Sequence, residues 1–281
     1  YGTDPWGQRW RQITTPHFKL IYPKAIDSLA QRYAWLLDTS YTVGSKSIGH
    51  KPVHVPVVLH PDNVYANGVV VWAPRRMEIF TTPPMQSYPQ AWDKQLALHE
   101  FRHVAQTDKM NKGVMRAAFY LFGEQTSALW MLPVPKWFLE GDAVATETAL
   151  SSSGRGRSAE FHMVYRSLLL SDVEWSYDRW VNGSYTYNIP DIYHFGYQNV
   201  SYVRHKYGAD IWDRVLNESS HRYFKIPAFS NALKKYTGLS TKLLQKETFS
   251  YLKQQWIEED KALAADTAIR YITGANTDYT S

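Results

Sequence analysis

Two histidines flank a glutamate in the run His99-Glu100-Phe101-Arg102-His103. On an α-helix, residues four apart lie on one face. Both imidazoles can then aim at a single divalent cation. Glu100 lies beside them, where its carboxylate can take a proton from a water that the cation polarises. The chemistry indicated is metal-assisted hydrolysis. The flanking residues predict a helix over Trp92–Met110, a stretch without Gly or Pro and rich in helix formers. Leu98, Phe101 and Ala105 form its apolar stripe, with Ala97 and Val104 beside them. Ser87-Tyr88-Pro89-Gln90 reads as a capping box ahead of the helix, and Asn111-Lys112-Gly113 as its stop.

A catalytic zinc site takes three protein ligands and keeps one position open. The candidate third ligand is Glu140, in Trp137-Phe138-Leu139-Glu140-Gly141-Asp142-Ala143. Pro135 suits the first turn of a helix that continues to Leu150. Gly141, with no side chain, lets a neighbouring helix approach closely. Glu147 follows two turns further along the same face. It can accept the second N–H of a ligating histidine and so fix its tautomer.

H-E-x-x-H followed by W-x-x-E-G-x-A resembles the gluzincin metallopeptidases, and more narrowly the bacterial peptidase-MA-like group. The resemblance implies one catalytic Zn2+ held by His99, His103 and Glu140, with Glu100 as general base. The aminopeptidase branch of gluzincins also carries a Glu where Glu147 stands. Tyr193-His194-Phe195-Gly196 resembles that branch's Tyr-x-x-Gly segment. This implies that the Tyr193 hydroxyl donates to the oxyanion of the tetrahedral intermediate, with His194 as a second-ranked donor. Two departures stand out. Residues 104–139 separate the second His from Glu140, about twice the span in the aminopeptidases. The G-x-M-E-N amine anchor of that branch has only a partial echo, Met77-Glu78. The implied activity is therefore peptide-bond hydrolysis of the endopeptidase kind, on a peptide or protein substrate. The alternative is a non-catalytic peptide- or protein-binding module on the same fold, within a larger cell-envelope protein. A weaker alternative, carbohydrate binding, rests on aromatic content alone.

The elements that must position these residues read as α+β. Phe18–Tyr22 and Val53–Leu59 read as strands, the second broken at Pro56 and so possible to bulge. Ile26–Tyr41 has helical periodicity. Asn67-Gly68 precedes a strand Val69–Trp72, Pro74-Arg75-Arg76 reads as a turn, and Met77–Thr81 as the returning strand. Strands followed by a metal helix resemble the upper lobe of a zincin-like fold. One of the two strands, Val69–Trp72 or Met77–Thr81, is expected to border the cleft and pair with an extended peptide. After Trp92 the chain reads as mostly helical: an apolar helix over Gly113–Leu132, then Ala159–Leu170, Tyr197–Lys206, Ile211–Glu218, Ile226–Tyr236 and Thr241–Ala264. Ser151–Arg157 reads as a flexible loop bordering the cleft, and Trp175–Pro190 as an irregular segment that could cover it. A single peptidase-like domain over 1–265 is expected, with an upper lobe of about 1–110 and a helical lower lobe of about 111–265. Residues 266–281 read as a linker or the start of a truncated further domain.

The composition of the 281-residue chain narrows the classes. With no Cys there is no thiolate nucleophile, disulfide or thiolate ligand. No G-x-S-x-G or P-loop pattern occurs. The net charge of +5 is dispersed, and no basic stripe marks a nucleic-acid surface. No apolar run is long enough to span a bilayer. The chain starts at Tyr1, which reads as a processed product, and a periplasmic, secreted or other cell-envelope location is expected. The remaining histidines (His17, His50, His54, His60, His162, His205 and His221) read as structural or surface residues; His50 and His54 are four apart, but Pro52 between them argues against a helix.

Overall fold

A computed structural model describes residues 4–85 and 89–264, without the side chains of Trp130 and Ala264. Ser87 and Tyr88 of the expected capping box, and the expected linker over 266–281, lie outside the described residues.

Five strands build one mixed sheet among the described residues: β1 (Trp10–Thr14), β2 (Phe18–Pro23), β3 (Val55–His60), β4 (Ala66–Trp72) and β5 (Arg75–Thr81). Their order is β1-β2-β3-β5-β4. The central pairs β2/β3 and β3/β5 are parallel, and the flanking pairs are antiparallel. Alternation along the strands selects the buried face: Phe18, Leu20 and Tyr22, then Val55, Val57 and Leu59, then Met77 and Ile79. That face is covered by α1 (Asp27–Gly44) and by α2 (Trp92–Met110). Phe101 of α2 packs edge-on to Phe18 at 6.2 Å and against Tyr41 at 5.5 Å. The side of α2 opposite its histidines is thereby anchored in the sheet core. Met77 is fully buried on β5, and its neighbour Glu78 pairs with Arg76.

Three details of this half differ from the sequence expectation. Pro56 causes no bulge: its register partner is Lys19, and pairing to β5 begins only at Val57, so no ladder N–H is missed. Asn67 and Gly68, expected ahead of the strand, lie inside β4. Of the two strands expected at the cleft, β5 is paired on both sides and only β4 is an edge.

The remainder is mostly helical: α3 (Gly113–Phe122), α4 (Ser127–Met131), α5 (Lys136–Ala149), α6 (Ala159–Leu170), α7 (Tyr177–Asn182), α8 (Ile192–Tyr207), α9 (Ile211–His221), α10 (Ala228–Thr237) and α11 (Thr241–Ala264). The expected single helix over Gly113–Leu132 is two pieces, because Gly123 takes φ 83° and ends α3. α8 begins five residues earlier than periodicity suggests. Asp191 caps it, its Oδ1 accepting from the backbone N–H groups of Tyr193 and His194. The aromatic residues mostly pack with one another. Phe138 lies 4.7 Å from Trp212 and 4.9 Å from Phe229, and Tyr165 stacks on Trp180 at 5.4 Å. The expected cleft cover, Trp175–Pro190, contains α7 and places Trp175, Tyr177 and Trp180 beside α11, whereas Tyr185 and Tyr187 are exposed.

Candidate metal centre

α2 and α5 face each other across the sheet end of a cleft of about 360 Å³. From α2, His99, Glu100 and His103 enter this cleft; from α5, Glu140; from α8, Tyr193. The edge strand β4 forms its other wall through residues 67–70 and Trp72.

Glu140 reaches the histidines because α5 and α8 cross with almost no separation. A Cβ at Gly141 would sit 2.1 Å from the carbonyl carbon of Gly196, and one at Gly196 only 1.8 Å from the Trp137 carbonyl oxygen. The Gly of W-x-x-E-G thus meets the Gly of Y-x-x-G. Glu140 precedes one glycine directly, and Tyr193 lies a turn before the other, so the crossing brings carboxylate and phenol together. Burial raises the pKa of the Tyr193 phenol, Glu140 adds to the rise, and the Tyr193 ring stacks 6.0 Å from that of His99. His194 turns the other way. It stacks on Phe161 at 4.0 Å and pairs with Asp191, outside the cleft.

His99 Nε2 and His103 Nε2 lie 3.2 Å apart, and each is 3.3 Å from Glu140 Oε2. Ligand atoms held about 2.0–2.1 Å from a tetrahedral ion are about 3.3 Å apart. The three atoms therefore already form one face of a zinc-sized tetrahedron, and no other group of three described residues offers a metal such a set. The outer nitrogens are also held. His99 Nδ1 lies 3.2 Å from Glu147 Oε2 and 2.9 Å from Arg155 Nη2, and His103 Nδ1 is 2.9 Å from Gln106 Oε1. If both Nδ1 atoms carry the proton, both Nε2 lone pairs point at one spot. Two facing lone pairs beside a carboxylate call for a cation.

Electrostatics express the same demand. At His103 burial disfavours the charged form, but Glu140 outweighs it and lifts the pKa to about 9. Burial pushes Glu140 up, yet His103 and His99 prevail and hold it far below the usual carboxylate range. The proton on His103 takes the place a metal would occupy, so a metal bound there would displace it. Burial raises the Glu100 carboxyl against the opposing pull of His103 and His99. It also raises the Tyr193 phenol, with Glu140 adding to the shift, so the hydroxyl stays a donor.

Several supporting residues have no counterpart in the sequence reading. Gln106 holds His103 and is itself fixed by donating to the Leu139 carbonyl at 3.0 Å and to Asp142 at 2.8 Å. Its position one turn after His103 was the available signal. Arg155, from the expected flexible loop, sits in a short 3-10 turn. It clamps Glu147 through Nε at 2.5 Å and Nη2 at 3.0 Å, and lies 5.4 Å from the Tyr193 ring. Gly68 admits Glu100 under β4, since a Cβ there would be 2.5 Å from Glu100 Cγ. Beneath the site, Arg102 is 0% exposed and binds Asp142 in a fork, with Nε at 2.6 Å and Nη2 at 3.0 Å, and Arg204 adds a further bond at 2.6 Å. This ion network welds α2, α5 and α8 together. No protein-family model matches the chain, and no curated protein matches it at a significant level.

Proposed function

We propose that this chain is a zinc-dependent peptidase of gluzincin type, with a zincin-like arrangement of sheet and helices. One observation carries the reading. The three donor atoms have the spacing of a tetrahedral face, and Glu100, Tyr193 and a strand edge unpaired among the described residues surround the same cleft. His99, His103 and Glu140 would hold the ion, whose chemistry is to polarise the scissile carbonyl and acidify water.

The other roles belong to the chain's own groups. Glu100, poised by burial to accept and release a proton, takes one from the attacking water and passes it to the leaving amine. Tyr193 donates its hydroxyl to the oxyanion. β4 offers its free main-chain edge to an extended substrate, which would lie antiparallel or parallel to it across the metal ligands. Glu147 and Gln106 keep both imidazoles in the ligating tautomer. An endopeptidase is favoured over an aminopeptidase. Among the described residues the cleft's carboxylates are Glu100 and Glu140, which leaves no third to anchor a free amine. Met77 and Glu78 lie outside it.

The test is turnover of a mixed peptide library by the zinc-loaded protein and by Glu100→Gln. The variant is expected to retain zinc and to lose at least about a thousandfold in kcat/KM. Equal cleavage by both proteins would remove Glu100 as the base. Tight peptide binding with no cleavage by either would favour the binding-module alternative.

A further inference from the structure

α3 is an apolar helix without a core to enter. Its sequence, Gly113–Phe122, carries one charge, Arg116, and Met115 is its only buried residue. An all-apolar helix normally lies inside a protein or a membrane. This one is too short to span a bilayer, and no described helix is long and apolar enough to do so. Val114, Tyr120, Leu121 and Phe122 are 64–76% exposed, and Leu129 and Leu132 follow around α4. A second segment extends the surface. The Tyr223 hydroxyl donates to the Leu129 carbonyl, which brings the α9–α10 loop alongside with Phe224 and Ile226 exposed at 74% and 87%.

The charges around these apolar groups are mostly basic, although Arg222 is paired with Glu218 of α9. Residues 111–136 and 221–227 carry Lys112, Arg116, Lys136, Arg222 and Lys225 against one acid, Glu124. Glu124 already accepts from the Arg75 backbone N–H. Exposed Leu, Phe and Tyr ringed by Lys and Arg are the make-up of a surface that enters the headgroup and acyl boundary of an anionic bilayer. Lipid tails accept projecting side chains of any shape, whereas a protein partner would need a groove matched to them.

We propose that the α3–α4 segment and the α9–α10 loop together form a docking surface for an anionic lipid bilayer. Tyr120, Leu121, Phe122, Phe224 and Ile226 insert among the lipids, while Arg116, Lys136 and Lys225 meet the phosphates. The surface does not depend on the metal centre, but it shares an element with it. Met131, at the end of α4, lines the cleft, so docking fixes the cleft relative to the membrane.

The test is co-sedimentation of the full chain with vesicles of mixed phosphatidylcholine and phosphatidylglycerol, and with phosphatidylcholine alone. Binding to the mixed vesicles is expected, weakened by salt and by omission of phosphatidylglycerol. Leu121→Ser/Phe122→Ser should bind at least about tenfold more weakly, because two inserted apolar side chains are lost. Both residues are exposed, so its circular dichroism and Tm should match wild type. Failure to bind either vesicle, or undiminished binding by the double variant, would overturn the proposal. So would a concentration-dependent dimer, seen by light scattering, that the same variant abolishes: the surface would then be an interface between copies of the chain.

Discussion

Replacing Gly196 by Ala tests how Glu140 is brought to the histidines. The added methyl would lie 1.8 Å from the Trp137 carbonyl oxygen and 2.8 Å from Gly141 Cα. Carbon and oxygen need about 3.3 Å, so α8 must retreat from α5 by about 1.5 Å. The obstacle is backbone of a buried helix, which no side-chain rotation relieves. Overpacking of this severity costs roughly 3 kcal/mol, a Tm fall of roughly 6–12 °C for a domain of this size. The retreat also draws Tyr193 away from Glu140. Misplacement of about 1 Å can cost about a hundredfold in rate, so kcat should drop further than lost stability explains when assayed well below the Tm. Thermal melts by circular dichroism and turnover at low temperature measure both. A variant melting within about 1 °C of wild type, with normal turnover, would refute the close crossing as the device that assembles the site.

Two further substitutions probe the support. Asp142→Asn leaves Arg102 and Arg204 buried without their carboxylate and should cost roughly 3–5 kcal/mol in urea unfolding at neutral pH. Burial opposes ionisation of Asp142, but Arg102 and Arg204 hold its pKa below the unfolded value. Its stabilisation is therefore complete above about pH 4 and is lost as pH falls through the lower folded value. The acid limb of stability in that range should be shallower in Asp142→Asn, and an unchanged limb would count against the network. Gly68→Ala places a methyl 2.5 Å from Glu100 Cγ and 2.9 Å from its Oε1. It should lower kcat by roughly ten- to a hundredfold with zinc content unchanged, and wild-type kcat would show that β4 does not position Glu100.

What could be seen in the sequence was whatever a single element encodes. The helix Trp92–Met110 has the bounds that composition and periodicity predict, and His99, Glu100 and His103 share one of its faces as helical spacing requires. Gly141 was legible as a close-approach site, and the neighbour it admits is α8. Contacts between elements far apart in sequence were not legible. Arg155 reaches Glu147 and the Tyr193 ring only because a loop folds back over α5. Gly68 was legible only as preceding a strand, since the carboxylate that needs its space lies on another element. The edge position of β4 depends on β5 inserting beside β3, which alternation alone does not determine. Trp175–Pro190 looked like a cover for the cleft because it is aromatic and irregular, yet Trp180, with Trp175 beside it, is spent on packing α6 and α11.

The most direct test of the metal centre is elemental analysis of protein purified without added metal, beside His99→Ala. The account predicts about one zinc per chain in the wild type and a near-complete loss in the variant, with Tm falling on chelation only in the wild type. No zinc in the wild type even after reconstitution, or equal zinc in both proteins, would contradict it.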